Sequence, residues 1–425
     1  MGLGAIIGAG IFVLSGTAIS LAGSNALIAF VIVGIIAIMI GLELGELGSI
    51  LPNAKGASYS YVYSAFGSEL GFVTGIVLFF SYATSISAIS LGFGAYMANL
   101  LGMGQSTHTA FAILLIIILS GVNLLGVRKA ARADSFLVMV KIMVLLALIG
   151  FAVYAVTAGG NFTPSNFSVS DSQGGIGALF AASIAIFFAY SGFQSISTFT
   201  SRVRGGAVEA AKAIMIAIVI SMVLYVAVAI SMMLLFPASQ FTITADPLAQ
   251  VLGYAHAPQW MLMLVDIGAL IATVSATLAM ILSSSRMVYQ ISSDRLLPVL
   301  FRKYNKKTDV AANGILVSGV IGIVMLFSGN IFTIAAISNF GLLFSYLMAS
   351  LAIIHFRRKG VVGKFRMPLY PYLPIAAIVA IFMLIYGMPH AALAIGAVLI
   401  MALIVAYYTL REVSDKKVVR VRLFR

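Results

Sequence analysis

Long stretches of this sequence carry no charged side chain, and short basic clusters separate them. Residues 1–42 contain no Asp, Glu, Lys or Arg. A helix needs about 20 apolar residues to cross the hydrocarbon core of a bilayer. This run therefore predicts two spans joined at the turn signal Gly23-Ser24-Asn25. Residues 70–127 are also uncharged and break at Gly102-Met103-Gly104-Gln105-Ser106. Residues 142–201 carry only Asp171, within a polar stretch from Thr157 to Gly175. Residues 213–285 carry only Asp246 and Asp266, with a break between Pro237 and Pro258. Residues 310–356 turn at Ser328-Gly329-Asn330, and residues 367–410 near Gly387-Met388-Pro389-His390. The pattern predicts six hairpins, hence an all-α integral membrane fold with twelve transmembrane helices.

Charge then orients these spans. Of the 25 Lys and Arg residues, Lys141 alone lies inside a span; the others fall between hairpins or beyond residue 410, and none lies at a hairpin tip. By the positive-inside rule the inter-hairpin loops and both termini are expected to be cytoplasmic, in a multi-pass protein of the cell membrane. The net charge of +13 is accounted for by topology and by anionic membrane lipid. A nucleic-acid partner is not expected, because no basic domain stands outside the membrane.

Composition removes whole classes of function. Hydrophobic residues make up 62% of the 425 and charged residues 9%, against roughly 25% charged in soluble domains. A soluble enzyme and a disordered chain are both excluded. There is no cysteine, which rules out disulfides, thiolate chemistry and Cys-based metal sites. His108, His256, His355 and His390 show no ligand spacing, so neither a metal nor a cofactor is expected. A cleavable signal peptide is not expected, since no basic region precedes the first apolar run and the first charged residue is Glu43.

Two spans contain glycine where a helix would not want it. Span 1 carries Gly2, Gly4, Gly8 and Gly10. Span 6 carries Phe187-Phe188-Ala189-Tyr190-Ser191-Gly192-Phe193. Glycine costs about 1 kcal/mol relative to alanine in a helix interior, and an opened backbone survives at membrane depth only where it lines a cavity or binds something. Spans 1 and 6 each begin a set of five. Interrupted helices at matching positions in two halves point to a midplane binding site. The alternative is that the glycines only permit close helix packing.

Several stretches, in order, resemble the amino acid–polyamine–organocation (APC) superfamily of permeases. They are Ile7-Gly8-Ala9-Gly10-Ile11-Phe12; Glu46-Leu47-Gly48 followed by Pro52-Asn53-Ala54-Lys55-Gly56-Ala57-Ser58-Tyr59, then Tyr61 and Gly67; the span 6 stretch Phe187–Phe193; and Ser285-Arg286 with Asp294-Arg295-Leu296-Leu297-Pro298. Phe365-Arg366, Pro368 and Tyr370-Pro371 add a weaker match. The resemblance covers nearly the whole chain. It implies a LeuT-type fold: inverted five-helix repeats at 1–156 and 176–356, two peripheral helices at 372–410, and a basic tail at 411–425. It also implies an amino acid or related amine bound between the opened segments of spans 1 and 6.

Those segments suit a zwitterion. Amides at the start of a half-helix suit a carboxylate; here they would come from around Gly8, Ala9 and Gly10, with Ile7 also counted among the substrate-binding residues. Carbonyls of Phe187, Phe188 and Ala189 suit an ammonium group. Tyr190, Gly192 and the aromatic rings of Phe188 and Phe193 complete the candidate wall, although any one ring can equally be packing. Lys141 stands seven residues past Asp134, about 10 Å further along a helix. It can snorkel to the interface or act as a titrating amine. Some proton-coupled APC members carry a lysine at a matching place, and that resemblance implies partners in the Gly4 carbonyl and a hydroxyl on span 8, assigned to Ser275. Glu43 and Glu46 share a helix face; an interfacial structural carboxylate is the expectation for Glu46. Asp266 is read as an interfacial residue, with a vestibule charge as the alternative.

The chain departs from the family pattern in two places. About seven residues precede Gly8, roughly 10 Å of helix where half a bilayer needs about 15 Å, so the inner half of span 1 is expected to be short or to start upstream. After span 6, Ser201-Arg202-Val203-Arg204-Gly205-Gly206-Ala207 replaces an acidic pair and Asn-Pro, and Gln194 replaces a frequent acidic residue. With no Walker loop, no His-Glu-x-x-His and no Gly-x-Ser-x-Gly, and no filter-like sequence, a secondary transporter is expected over a pump, an enzyme or a channel. It is read as a proton-coupled amino acid permease, with proton-independent exchange as the alternative.

Overall fold

A computed structural model describes residues 6–52, 54, 56, 58–126, 130–158, 175–194, 206–305 and 310–423. Among the described residues the fold is all-helical. The first hairpin is α1 (Gly10–Ala22) and α2 (Ala26–Ile50), joined by the short 3-10 turn Gly23–Asn25. A short helix, α3 (Ser58–Phe66), leads into α4 (Ser68–Leu100), α5 (His108–Leu125) and α6 (Ala130–Thr157). The second half runs α7 (Gly175–Tyr190), α8 (Gly206–Leu235), the short α9 (Pro247–Tyr254), α10 (Gln259–Ser293), α11 (Ala312–Met325) and α12 (Ile331–Arg358). It ends with α13 (Tyr372–Tyr386) and α14 (His390–Leu423).

Eight helical segments among the described residues are long and apolar enough to cross a membrane. One of them, Gly10–Ile50, contains both α1 and α2, and three further apolar helices (Gly175–Tyr190, Ala312–Met325, Tyr372–Tyr386) are shorter. Helices satisfy their own backbone groups, which is why a lipid-embedded chain adopts them. The outward faces are apolar: Ile28, Ile32 and Ile35 of α2 and Leu114, Ile117 and Ile118 of α5 are exposed. Water would penalise such surface, whereas acyl chains accept it.

The centre is built from α1, α4 and α7. Every residue from Gly10 to Ile19 is buried, as are Ala182 to Tyr190 of α7. Around them α4 packs on α10 and α12, α2 on α8, and α1 on α7. Small hydroxyls knit these contacts: Ser81 Oγ donates to the Ser338 carbonyl at 2.6 Å, joining α4 to α12, and Ser87 Oγ donates to the Gly322 carbonyl at 2.6 Å, joining α4 to α11. The Tyr96 hydroxyl of α4 donates to the Phe12 carbonyl of α1 at 2.6 Å.

The motif stretches of the sequence meet in space. Tyr59 Oη donates to Asp294 Oδ2 at 2.6 Å, tying the start of α3 to the exit of α10. The segment before α13 docks on α2, where Phe365 N–H donates to Ser49 Oγ at 3.0 Å and Met367 N–H to Glu46 Oε2 at 2.9 Å.

Candidate functional site

Both glycine-marked helices are interrupted where the sequence placed the irregularity. Residues 7–9 bend between a helical Ile6 and the start of α1 at Gly10. The Gly8 N–H turns back to the Ile6 carbonyl at 2.7 Å, and the N-cap of α1, Ala9, offers no side-chain cap. The first amides of a helix have no intrahelical acceptor, so α1 presents an uncapped, partially positive end in the centre of the protein. In the second half α7 ends at Tyr190, and Ser191, Gly192 and Phe193 form a turn. Gly192 has φ 122°, a left-handed region that favours glycine.

The carbonyls at these ends already have donors. Ser191 N–H donates to Phe187 O at 3.0 Å and also approaches Phe188 O at 3.2 Å, and Ser191 Oγ donates to Phe188 O at 2.7 Å. The Phe187 carbonyl keeps a second lone pair for a further donor, whereas Phe188 O already takes both the Ser191 amide and its hydroxyl. The two interruptions are bridged by Tyr225 of α8. Its fully buried hydroxyl donates to Ile6 O at 2.8 Å and shares its proton with Ala189 O at 3.2 Å. Its ring meets Tyr190 edge-on at 5.1 Å, and the Tyr190 hydroxyl donates to Phe30 O of α2 at 3.1 Å.

Two glycines of the first break differ in what they do. A methyl group on Gly10 would collide with the backbone and Cβ of Ala189, so Gly10 is set by the packing of α1 on α7. One on Gly8 would meet only the Ile6 carbonyl and the Ala276 Cβ of α10, both at 3.8 Å, which is ordinary contact. No packing contact requires glycine at position 8. Ile7 and Ala9 on either side are buried, while Gly8 is half-buried.

Beyond the α7 break, Gln194 gathers three partners. Its Oε1 accepts from the Gly192 N–H at 2.9 Å and from Tyr346 Oη of α12 at 2.7 Å, and its amide nitrogen donates to the Tyr82 oxygen of α4. Phe193 stacks on Tyr346 at 5.5 Å and Phe187 meets it edge-on at 6.2 Å. Phe187, Phe188, Ala189 and Tyr190 are all buried.

Lys141 and Ser275 are brought together: Lys141 Nζ donates to Ser275 Oγ at 2.6 Å, and the lysine is 1% exposed. The ammonium thus sits against α10 one residue from Ala276, the neighbour of Gly8. Gly4 lies outside the described residues. Glu46 makes a bidentate pair with Arg357 of α12, from Nε at 2.6 Å and Nη2 at 2.9 Å, and the guanidinium lies 4.9 Å over the Tyr370 ring. Glu46 is therefore a structural clamp on the segment before α13. Glu43 is wholly buried beside Ser350. Asp266 is buried within the protein, and its two oxygens accept from Asn99 Nδ2 of α4 at 3.2 and 3.1 Å. At the same end a 290 Å³ cavity is lined by His108, Thr244, Asp246 and Asn330. There burial raises the Asp246 carboxyl above the usual carboxylate value, and His108 partly offsets this.

Sequence reasoning missed Tyr225, Tyr346 and Tyr82. For Tyr225 the only local sign was a single hydroxyl in the apolar run Met222-Val223-Leu224-Tyr225-Val226, and Tyr82 and Tyr346 stand beside Ser81 and Ser345 with nothing to single them out.

These features define a polytopic helical membrane protein with two helices interrupted side by side at its centre. The description "Amino acid permease" matches residues 1–410. The branched-chain amino acid permease of Bacillus subtilis (strain 168) is 28% identical over 408 residues, covering 91% of this chain and 86% of that protein. The methylthioribose transporter of the same organism is 27% identical over 413 residues, covering 92% and 86%. The vacuolar cationic amino acid transporter 2 of Arabidopsis thaliana is 26% identical over 377 residues, covering 84% of this chain and 58% of its own length. The chain belongs to the amino acid permease family, a family of multi-pass membrane transporters and not of enzymes.

Proposed function

We propose that this protein is a secondary transporter that carries an amino acid or related amine across the cell membrane, coupled to protons, by alternating access around the interrupted segments before α1 and after α7. The observation that carries this is the contrast between Gly8 and Gly10. Gly10 is explained by packing; Gly8 is not, and it stands half-buried beside an uncapped helix start. Approach of a ligand to the backbone accounts for it. The amides of Gly8, Ala9 and Gly10 then take the substrate carboxylate. Carbonyls of Phe187 to Ala189 take its ammonium, Phe187 through a remaining lone pair and Phe188 by giving up its bond from the Ser191 hydroxyl. Similarity to a branched-chain amino acid permease and to a cationic amino acid transporter supports an amino acid as cargo.

Twelve crossings follow if α1 and α2 count separately and the three shorter apolar helices also cross. An inverted repeat of 1–156 and 176–356 fits the packing of α1 on α7, α2 on α8 and α4 on α10, which pairs equivalent helices of the two halves. Helices 372–410 then lie outside the repeats. The basic loops and the tail at 411–425 set both termini in the cytoplasm.

Lys141 is the coupling group in this reading. Its ammonium donates to Ser275 beside the Gly8 break, and burial disfavours its charged form once water leaves. Loss of the proton would take the charge from this hydrogen bond, weaken it and loosen α6 from α10. The test is labelled amino acid uptake into proteoliposomes under an inward proton gradient. The wild type concentrates substrate and Lys141→Ala does not; equal acid-driven uptake by both would defeat the coupling role.

A further inference from the structure

Counting protons at one buried contact gives a result that the substrate site does not use. Ser350 Oγ of α12 lies 2.5 Å from Glu43 Oε2 of α2 and 3.0 Å from the Tyr346 carbonyl. A hydroxyl has one hydrogen to donate. The Tyr346 carbonyl can only accept, so when Ser350 donates to it the Glu43 contact needs its hydrogen from Glu43. Both bonds are complete together only when Glu43 carries a proton. The rest of the pocket agrees. Glu43 is fully buried, and among the described residues its Oε1 has no hydrogen-bond partner. An ionised carboxylate so placed would be costly, because buried charge is tolerated only when paired and hydrogen-bonded.

Among the described residues, no cation is paired with it. On α2 the nearest charge is Glu46, of like sign, already clamped by Arg357 of α12. On α12, His355 lies against the Phe66 ring, and Arg358 sits in the exposed last turn. From α8, Glu209 and Lys212 pair with each other at an exposed end, and Tyr225 is held by Ile6 and Ala189. Tyr190 of α7 is held by Phe30, Tyr372 and Tyr386 of α13 are exposed, and α1 has no titratable side chain.

We propose that Glu43 is a proton-binding site of this carrier: its carboxyl is neutral while α2 and α12 are in contact, and it releases its proton to water when that contact opens. Position 346 joins this site to the α7 break. The Tyr346 carbonyl takes the Ser350 hydroxyl, while its own hydroxyl donates to Gln194, which also accepts from Gly192. A shift of the turn after α7 is therefore transmitted through one turn of α12 to Glu43. This transmission rests on the transporter reading above; the proton on Glu43 does not.

Infrared spectroscopy of the purified full-length protein tests it. A protonated-carboxyl band is expected at neutral pH. It disappears in Glu43→Gln, shifts to higher frequency in Ser350→Ala as its hydrogen bond is lost, and persists in Lys141→Ala. Identical carboxyl regions in wild type and Glu43→Gln, or a band unmoved by Ser350→Ala, would overturn the assignment. In proteoliposomes, the fall of wild-type uptake at alkaline pH is expected to flatten in Glu43→Gln, which cannot ionise. An unchanged pH profile would sink the coupling of this proton to transport. Failure of the Lys141 reading alone would leave the infrared result standing.

Discussion

The Tyr225 hydroxyl reaches the carbonyl of Ile6 at 2.8 Å across 219 positions of sequence, and the Ala189 carbonyl shares the same proton. One side chain thus holds the freed ends of both interrupted helices. Tyr225→Phe leaves two buried carbonyls without that donor, and a buried polar group deprived of its partner costs about 1–3 kcal/mol. The expected result is a lower thermal midpoint together with slower uptake, read by thermal unfolding in detergent and by transport in proteoliposomes. A wild-type midpoint and rate would mean the hydroxyl does not brace the site.

Gly8 and Gly10 should respond in opposite ways to the same methyl group. Gly10→Ala forces α1 off Ala189, and overpacking a core costs about 1–3 kcal/mol, so its thermal midpoint should fall. Gly8→Ala meets only ordinary contacts and should fold like the wild type while binding substrate more weakly. Calorimetric titration beside thermal unfolding separates the two. Equal stability and equal affinity in both variants would remove the distinction on which the site rests.

Arg357 and Glu46 clamp the segment before α13 onto α2. Removing one member of a buried pair costs about 3–5 kcal/mol, because the other charge is left uncompensated. Part of that is discounted here, since Arg357 remains partly exposed. Arg357→Ala is expected to unfold at lower temperature than Arg357→Lys, which keeps the charge but not the bidentate fork. Equal midpoints for the two would argue against the fork.

Asp246 sits in the segment between α8 and α9, and burial raises its carboxyl. The folded state therefore holds a proton over a range where the unfolded chain has released it. That stability is present below the unfolded value of about 4 and is lost as pH rises through the folded value. Thermal midpoints stepped upward from pH about 4 should decline less in Asp246→Asn than in the wild type. Parallel curves would show that this carboxyl does not contribute.

Much of the architecture was legible because lipid imposes a simple code. Charge-free runs mark helices, and helix-breaking glycines at Gly8 and Gly192 mark where the helices give way. The partners of those breaks were not legible. Tyr225, Tyr346 and Gln194 act through contacts between distant segments, and a lone tyrosine in an apolar run has the same local signature as a packing residue. Glu46 was readable as a structural carboxylate, but its partner Arg357 was hidden in the cluster Arg357-Arg358-Lys359, which topology alone explains. Gly10 and Gly8 looked alike in sequence; only the position of Ala189 separates them. The burial of Asp266 was not legible because its partner Asn99 lies on another helix.

The central claim is that peptide groups released at the two breaks hold both charged ends of an amino acid. Isothermal titration of the purified protein with the common amino acids, their decarboxylated amines and their deaminated acids tests it most directly. The account predicts saturable binding of at least one amino acid and clear loss when either the carboxylate or the ammonium group is removed. Equal affinity for an amino acid and its decarboxylated amine, or no binding by any amino acid, would contradict it.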